Sequence, residues 1–159
     1  MKTEFERDSR MHHQYQIIIL GNVGTGTEHE ITGLFFERLK ELKLKKRFYE
    51  VLYSRDFDSK YKGNQPTYTI YIGGGDDSDV GKAQKLIKDG KMVLPLYQDS
   101  FSNEIPNALE NQNGLKYSKA KCDKVVNLIL ESFGGLRNTR KVFVSYRRNE
   151  STSVAIQLY

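Results

Sequence analysis

The stretch Gln16-Ile17-Ile18-Ile19-Leu20-Gly21-Asn22-Val23-Gly24-Thr25-Gly26-Thr27 decides the fold class. A continuous β-branched apolar run of this length reads as a strand buried on both faces, as in a parallel sheet. A glycine-rich turn follows at once. Beyond it Ile31, Leu34, Phe35, Leu39 and Leu42 recur at helical spacing with charges between them. Thr27 is placed to cap that helix, with Glu30 three residues on completing a capping box. The unit is strand, glycine loop, helix.

The same alternation continues outward. Residues 48–53 read as a second strand and 54–66, rich in Asp, Ser, Lys, Gly, Asn and Pro, as a loop. A third strand at 68–72 meets Gly73-Gly74-Gly75-Asp76-Asp77-Ser78-Asp79. The helix after it carries Val80, Ala83 and Ile87 inward and stops at Gly90. A fourth strand at 92–96 ends near Pro95. Residues 97–116 form a longer connection with a short helix around 106–110 and a turn at Asn113-Gly114. The helix at 118–133 is the plainest, with Cys122, Val125, Val126, Ile129, Leu130 and Phe133 in one stripe and Gly134-Gly135 as its end. Strands alternating with helices predict an α/β fold, Rossmann-like or flavodoxin-like, whose mostly parallel sheet has helices on both faces and right-handed crossovers.

The chain of 159 residues has the length of one domain or one domain plus a fragment. Its 10 Tyr and 8 Phe, with 38% hydrophobic residues, exclude a disordered polar chain. No apolar run approaches the roughly 20 residues of a membrane-spanning helix, and the start, MKTEFERDSRMHHQ, lacks the apolar core of a secretory signal. The single cysteine, Cys122, excludes an internal disulfide. A soluble cytoplasmic protein is expected. The predicted organisation is a flexible leader at 1–14, a nucleotide-binding-like domain at 15–135, a linker at 136–140, and a strand followed by a helix at 141–159.

The net charge of +5 raises nucleic-acid binding as a question. Arg38, Lys40, Lys43, Lys45, Lys46 and Arg47 cluster where the first helix ends, and complementing the helix dipole explains much of that cluster. Arg137, Arg140, Lys141, Arg147 and Arg148 form the second group. Nucleic acid is the least supported of the partners considered.

In a parallel sheet, ligands lie at the carboxyl ends of the strands. Both glycine loops fall there. The first, GNVGTGTE, is neither a Walker A loop nor a G-x-G-x-x-G loop. Its candidate phosphate contacts are Gly21, Asn22, Gly24, Thr25 and Gly26, using backbone N–H groups and the field of the helix start. A tight turn needing positive φ is the plain alternative. The second loop offers Gly73, Gly74, Gly75, Asp76, Asp77 and Ser78. Its carboxylates suit ribose hydroxyls or a hydrated Mg²⁺, while capping of the next helix by Ser78 or Asp77, with Asp79 in the first turn, accounts for part of the acidity. Glycine at 74 is expected to be needed for binding but not for folding. His12-His13 lack a third metal ligand nearby. His29 reads as an exposed first-turn residue, and Cys122 as core. No nucleophile–base–orienter set stands out. An enzyme reading, a nucleotide N-glycosidase or deoxyribosyltransferase-like hydrolase, would draw its acid or base from Asp77, Asp79 or Glu28.

Two family resemblances follow from named residues. The stretch RKVFVSYRRNES at 140–151, with Ala155 and Leu158-Tyr159, resembles the opening of a bacterial TIR (Toll/interleukin-1 receptor) domain. That resemblance implies a flavodoxin-like TIR fold and, in many bacterial members, cleavage or rearrangement of NAD. The family's catalytic glutamate and its self-association loop lie on later elements, so NAD cleavage is not expected of these residues. The body, with Ile70-Tyr71-Ile72, Gly73-Gly74-Gly75, a helix and then Gly90-Lys91-Met92-Val93-Leu94-Pro95, resembles the SLOG superfamily, in the branch fused to TIR and sirtuin domains of antiphage defence proteins. Enzymatic relatives carry G-G-x-G-T-x-x-E. Here Asp77-Ser78 replaces Gly-Thr, and Gly81 stands where the glutamate would be. The resemblance therefore implies a sensor of NAD-derived or cyclic nucleotides, acting through self-association, and not a phosphoribohydrolase. A protein-interaction module without a small ligand is the third reading. The strand at 141–146 is expected to pair with the domain's own sheet or with a second chain.

Overall fold

A computed structural model describes residues 15–134. The expectations for His12 and His13, the linker, and the TIR-like strand and helix lie outside the described residues.

The elements alternate as β1 Tyr15–Gly21, α1 Thr27–Glu41, β2 Tyr49–Tyr53, α2 Ser54–Lys60, β3 Thr67–Ile72, α3 Val80–Lys88, β4 Met92–Tyr97, α4 Phe101–Glu104, β5 Leu115–Lys116 and α5 Cys122–Ser132. The five strands form one sheet in the order β2-β1-β3-β4-β5, with every pairing parallel. This is the Rossmann-like α/β architecture that the alternation predicts.

Alternation of side chains along each strand splits the core into two layers. Ile17 and Ile19 of β1, with Tyr68 and Ile70 of β3, pack under Ile31, Phe35 and Leu39 of α1 and the whole predicted stripe of α5. Ile18 and Leu20, with Tyr71 and Val93, pack under Phe57 of α2 and Ala83 and Leu86 of α3. Residues 17–20 are therefore apolar without interruption because neither face of β1 meets water. The β1–α1–β2 and β3–α3–β4 units step in opposite directions on opposite faces, which gives both the same hand.

Several local expectations are corrected. Residues 54–60 are helical, not loop. Phe57 is the one buried residue of that helix, so no apolar period marks it in the sequence. The helix is held by Phe57, stacked on Tyr61 at 4.8 Å, and by Asp56, whose Oδ2 accepts the Tyr53 N–H at 3.1 Å. Its far end is tied by buried Gln16, which donates to the Lys60 carbonyl at 2.8 Å and accepts the Lys62 N–H at 2.9 Å. The α1 cap is Gly26, at φ 100°, not Thr27. A left-handed glycine takes the turn there, and the Glu30 carboxylate goes instead to the Tyr117 hydroxyl at 2.8 Å. On α3 the fully buried residues are Ala83 and Leu86, with Val80 and Ile87 half-buried. Leu42 is 40% exposed, at the α1 C-cap.

Pro95 lies within β4 and does not end it. The Leu96 carbonyl accepts from Gly73 on the β3 side, and the Tyr97 carbonyl accepts from Tyr117 on the other. By alternation the Pro95 nitrogen faces the outer side, ahead of the point where β5 begins at Leu115, so no ladder bond is lost. The 97–116 connection holds α4, a 3-10 turn at Asn107–Leu109 and the two-residue β5.

The basic cluster beside α1 has structural partners. Arg38 bonds Asp123 and Asn127 of α5, and the Lys46 ammonium sits 4.8 Å over the Phe36 ring. No helix among the described residues is long and apolar enough to cross a membrane.

Gly21 closes β1 at φ +92°, and a Cβ there would sit 2.2 Å from the Ile72 carbonyl oxygen. Gly21→Ala is therefore expected to lose roughly 2–4 kcal/mol, combining left-handed strain with overpacking. A urea midpoint that falls with an unchanged slope would verify this.

Candidate functional site

The sheet order sets the place. β1 connects through α1 to β2 on one side, while β3 lies on the other side of β1. The carboxyl ends of β1 and β3 thus flank a topological switch point, where open α/β sheets leave a crevice. Both glycine loops leave the sheet there, and they touch. The Asn22 N–H donates to the Ile72 carbonyl at 2.8 Å.

Close approach explains the triple glycine. A Cβ on Gly73 would lie 2.7 Å from Ile105 and 2.9 Å from the Glu104 carbonyl oxygen. Gly74 has φ +91°, and a Cβ on Gly75 would lie 2.9 Å from the Asn22 Cβ. Gly73 is thus required against the end of α4, Gly74 by its left-handed backbone, and Gly75 where the second loop lies against Asn22 of the first.

Two buried carboxylates brace the first loop from behind. Asp79 is 5% exposed. It accepts the Gly21 N–H at 2.8 Å and the Ser54 hydroxyl, which ties the end of β1 and the start of α2 to the start of α3. Asp79 occupies the α3 N-cap position without capping it, because its carboxylate is drawn to these partners. Neither Ser78 nor Asp77 caps the helix by its side chain. Glu28, 4% exposed, reaches back to the Gly24 N–H at 2.8 Å, and its Oε1 is buried without a partner among the described residues. The N–H groups of Gly21, Asn22, Val23 and Gly24 all have acceptors within the protein. Of the first-loop positions, Thr25 and Gly26 keep their N–H groups for other partners.

The crevice is a cleft of about 300 Å³ lined by Asn22, Thr25, Thr27, Ile72, Gly73, Gly74, Leu96, Tyr97, Gln98, Asp99, Glu104 and Tyr117. Of the residues singled out in the sequence, Asn22, Thr25, Thr27, Gly73 and Gly74 line it. Gly21, Gly24 and Gly26 form the turn behind. Gly75, Asp76, Asp77 and Ser78 lie exposed on the outer part of the second loop. There Asp76 accepts the Ser78 N–H at 3.0 Å, and hydrogen bonds from Ser78 hold its carboxyl below the ordinary range. No group of three His, Cys, Asp or Glu side chains among the described residues is arranged to hold a metal ion.

Sequence reading missed the third wall. Tyr97 ends β4, Gln98, Asp99 and Glu104 follow it, and Tyr117 follows β5. The rule that selected the loops after β1 and β3 applies equally to β4, but no glycines mark that turn. Glu104 builds it. Its carboxylate accepts the N–H groups of Gln98, Asp99 and Ser100 at 2.7–2.8 Å. The side chains of Asn22, Gln98 and Asp99 make no hydrogen bond or ion pair to the described residues, so they face the cleft with their polar atoms unused.

The remaining candidates sit apart. The His29 side chain is 81% exposed. Cys122 is buried, donates to the Glu30 carbonyl at 3.3 Å, and has its thiol pushed up chiefly by burial. Burial, then the hydrogen bond to Glu30, pushes the Tyr117 hydroxyl up as well, so it stays a donor. Glu28 and Asp79 do not line the cleft.

No protein-family model matches the chain, and no curated protein is significantly similar to it.

The three N–H bonds to Glu104, the Gln98 bond first, hold its carboxyl below its ordinary value of 4.5. A depressed folded-state value means stability that is present above the unfolded value and lost as pH falls through the folded one. Glu104→Gln is therefore expected to be less stable than wild type at pH 7. The gap should narrow below about pH 4 as the wild-type carboxylate protonates. Urea midpoints at the two pH values measure it.

Proposed function

We propose that residues 15–134 are a sensor domain that binds a nucleotide-class small molecule in the β1/β3 cleft. One observation carries the reading. Two glycine loops abut at the switch point of a parallel sheet and open onto a cleft ringed by unused polar side chains. Apolar walls from Ile72 and Leu96 suit a planar base, and the polar rim suits a sugar. The SLOG resemblance points to NAD-derived or cyclic nucleotides. The TIR resemblance at 140–159 supports a sensor placed ahead of a TIR effector in a bacterial defence or signalling protein. In that setting ligand binding would alter self-association of the chains.

The hydrolase reading is weaker. Asp79 and Glu28 both spend their carboxylates on backbone N–H groups and lie outside the cleft. Asp77 is exposed on the outer loop.

A thermal-shift screen against adenosine, AMP, ADP, ADP-ribose, NAD and cyclic dinucleotides, with and without Mg²⁺, tests the sensor reading. At least one ligand should raise the melting temperature, because it binds the folded state alone. Thr25→Glu adds a side chain at the lip of the cleft, on an exposed position where the α1 dipole favours an acid. It should keep its own melting temperature and lose the ligand-induced rise. Gly74→Val is a poorer probe than the sequence suggests. A β-branched residue at φ +91° strains the backbone, so loss of binding and loss of stability would arrive together.

A further inference from the structure

We infer that the cleft recognises a nucleoside, through its ribose hydroxyls and base edge, and that phosphate groups add nothing to its affinity. This rests on the reading of the cleft as a nucleotide-class site, and it specifies which part of such a molecule is held.

The electrostatics argue it first. Among the described residues that line the cleft there is no lysine or arginine, while there are two carboxylates. Glu104 is engaged by three N–H groups, and the Asp99 carboxylate makes no bond to the described residues. Behind the first loop lie the buried carboxylates of Glu28 and Asp79. Asp76 and Asp77 project from the second loop. A pyrophosphate entering here would meet carboxylates on several sides and no cationic side chain on the walls; Lys82 pairs with Asp79 at 3.9 Å, and the positive field of the α1 start is met by Glu28 and Glu30 in its first turn. Lys116 is near enough to act on Glu104, but only as the smallest of several influences on it.

The backbone argues it independently. Phosphate-binding glycine loops work by presenting free N–H groups. Here four consecutive N–H groups, from residue 21 to 24, are bonded within the protein. Those of Gly73 and Gly74 donate to the carbonyls of Leu96 and Glu104. The free N–H groups that remain are those of Thr25, Gly26 and the first turn of α1, and that turn already carries the carboxylates of Glu28 and Glu30 against its dipole.

The unused groups fit the uncharged part of the molecule. A carboxylate accepts hydrogen bonds from a pair of ribose hydroxyls, and Asp99 is held at the rim by the backbone that Glu104 organises. The amides of Asn22 and Gln98 each offer a donor and an acceptor, which match the mixed edge of a base. At about 300 Å³ the cleft lies at the small end of small-molecule sites, which suits one nucleoside better than two.

Isothermal titration of the whole chain with adenosine, uridine, AMP, ADP and NAD decides the matter. A nucleoside should bind at least as tightly as its monophosphate, and ADP about tenfold more weakly. The nucleoside affinity should hold between 50 and 500 mM salt, as about expected where no ion pair is screened. Asp99→Asn should weaken the nucleoside about tenfold and narrow the penalty on ADP. Tighter binding of ADP or NAD than of adenosine would overturn the inference while upholding the nucleotide reading. An unchanged nucleoside affinity in Asp99→Asn would overturn it too. Binding of none of the five would overturn this inference, while the nucleotide reading would fall only if ADP-ribose and the cyclic dinucleotides of the thermal-shift screen also failed to bind.

Discussion

The structure depends on the burial of β1 from both sides. Residues 17–20 are at most 2% exposed, and β1 hydrogen-bonds to β2 on one edge and β3 on the other. Every strand position there contributes an apolar side chain to one layer or the other, at roughly 25 cal/mol per Å² of area removed from water. A strand so enclosed cannot change register, because a one-residue slip would exchange the two faces and their partners. Its carboxyl end is therefore held in place, and so is whatever leaves the sheet there.

What leaves is the first glycine loop, and its position is secured by polar groups in place of packing. Asp79, at the start of α3, joins Gly21 at the end of β1 to Ser54 at the start of α2, and Glu28 folds back onto Gly24. Burying such carboxylates is unfavourable unless hydrogen bonds satisfy them. Here the bonds come from the loop's own N–H groups, so that loop and acids stabilise one another. The same bonds occupy the N–H groups of Gly21 and Gly24, while those of Thr25, Gly26 and the first turn of α1 stay free. The loop is thereby held as one wall of the cleft.

Glu104 performs the corresponding task on the opposite wall. By gathering three consecutive N–H groups it fixes the turn after β4 and presents Gln98 and Asp99 with their polar atoms free. The two walls reach this state by one device, a carboxylate turned inward onto backbone N–H groups.

The sequence by itself determined the α/β class, four of the five strands, the α1 and α5 core faces and the location of the two glycine loops. Periodicity and β-branched runs report directly which residues must be buried, and glycine runs report where the chain must turn. The α2 helix was illegible because a single buried residue, Phe57, anchors it, and one residue has no period. β5 was illegible because two residues are too few to carry a pattern. The strand order, and with it the contact between loops 50 residues apart, was decided only in the tertiary structure, since pairing between strands depends on how layers pack and leaves no local mark. The roles of Asp79, Glu28 and Glu104 belong to the same class. Whether a carboxylate faces solvent, caps a helix or braces a loop depends on which N–H groups the fold brings to it, and that is a property of the assembled sheet.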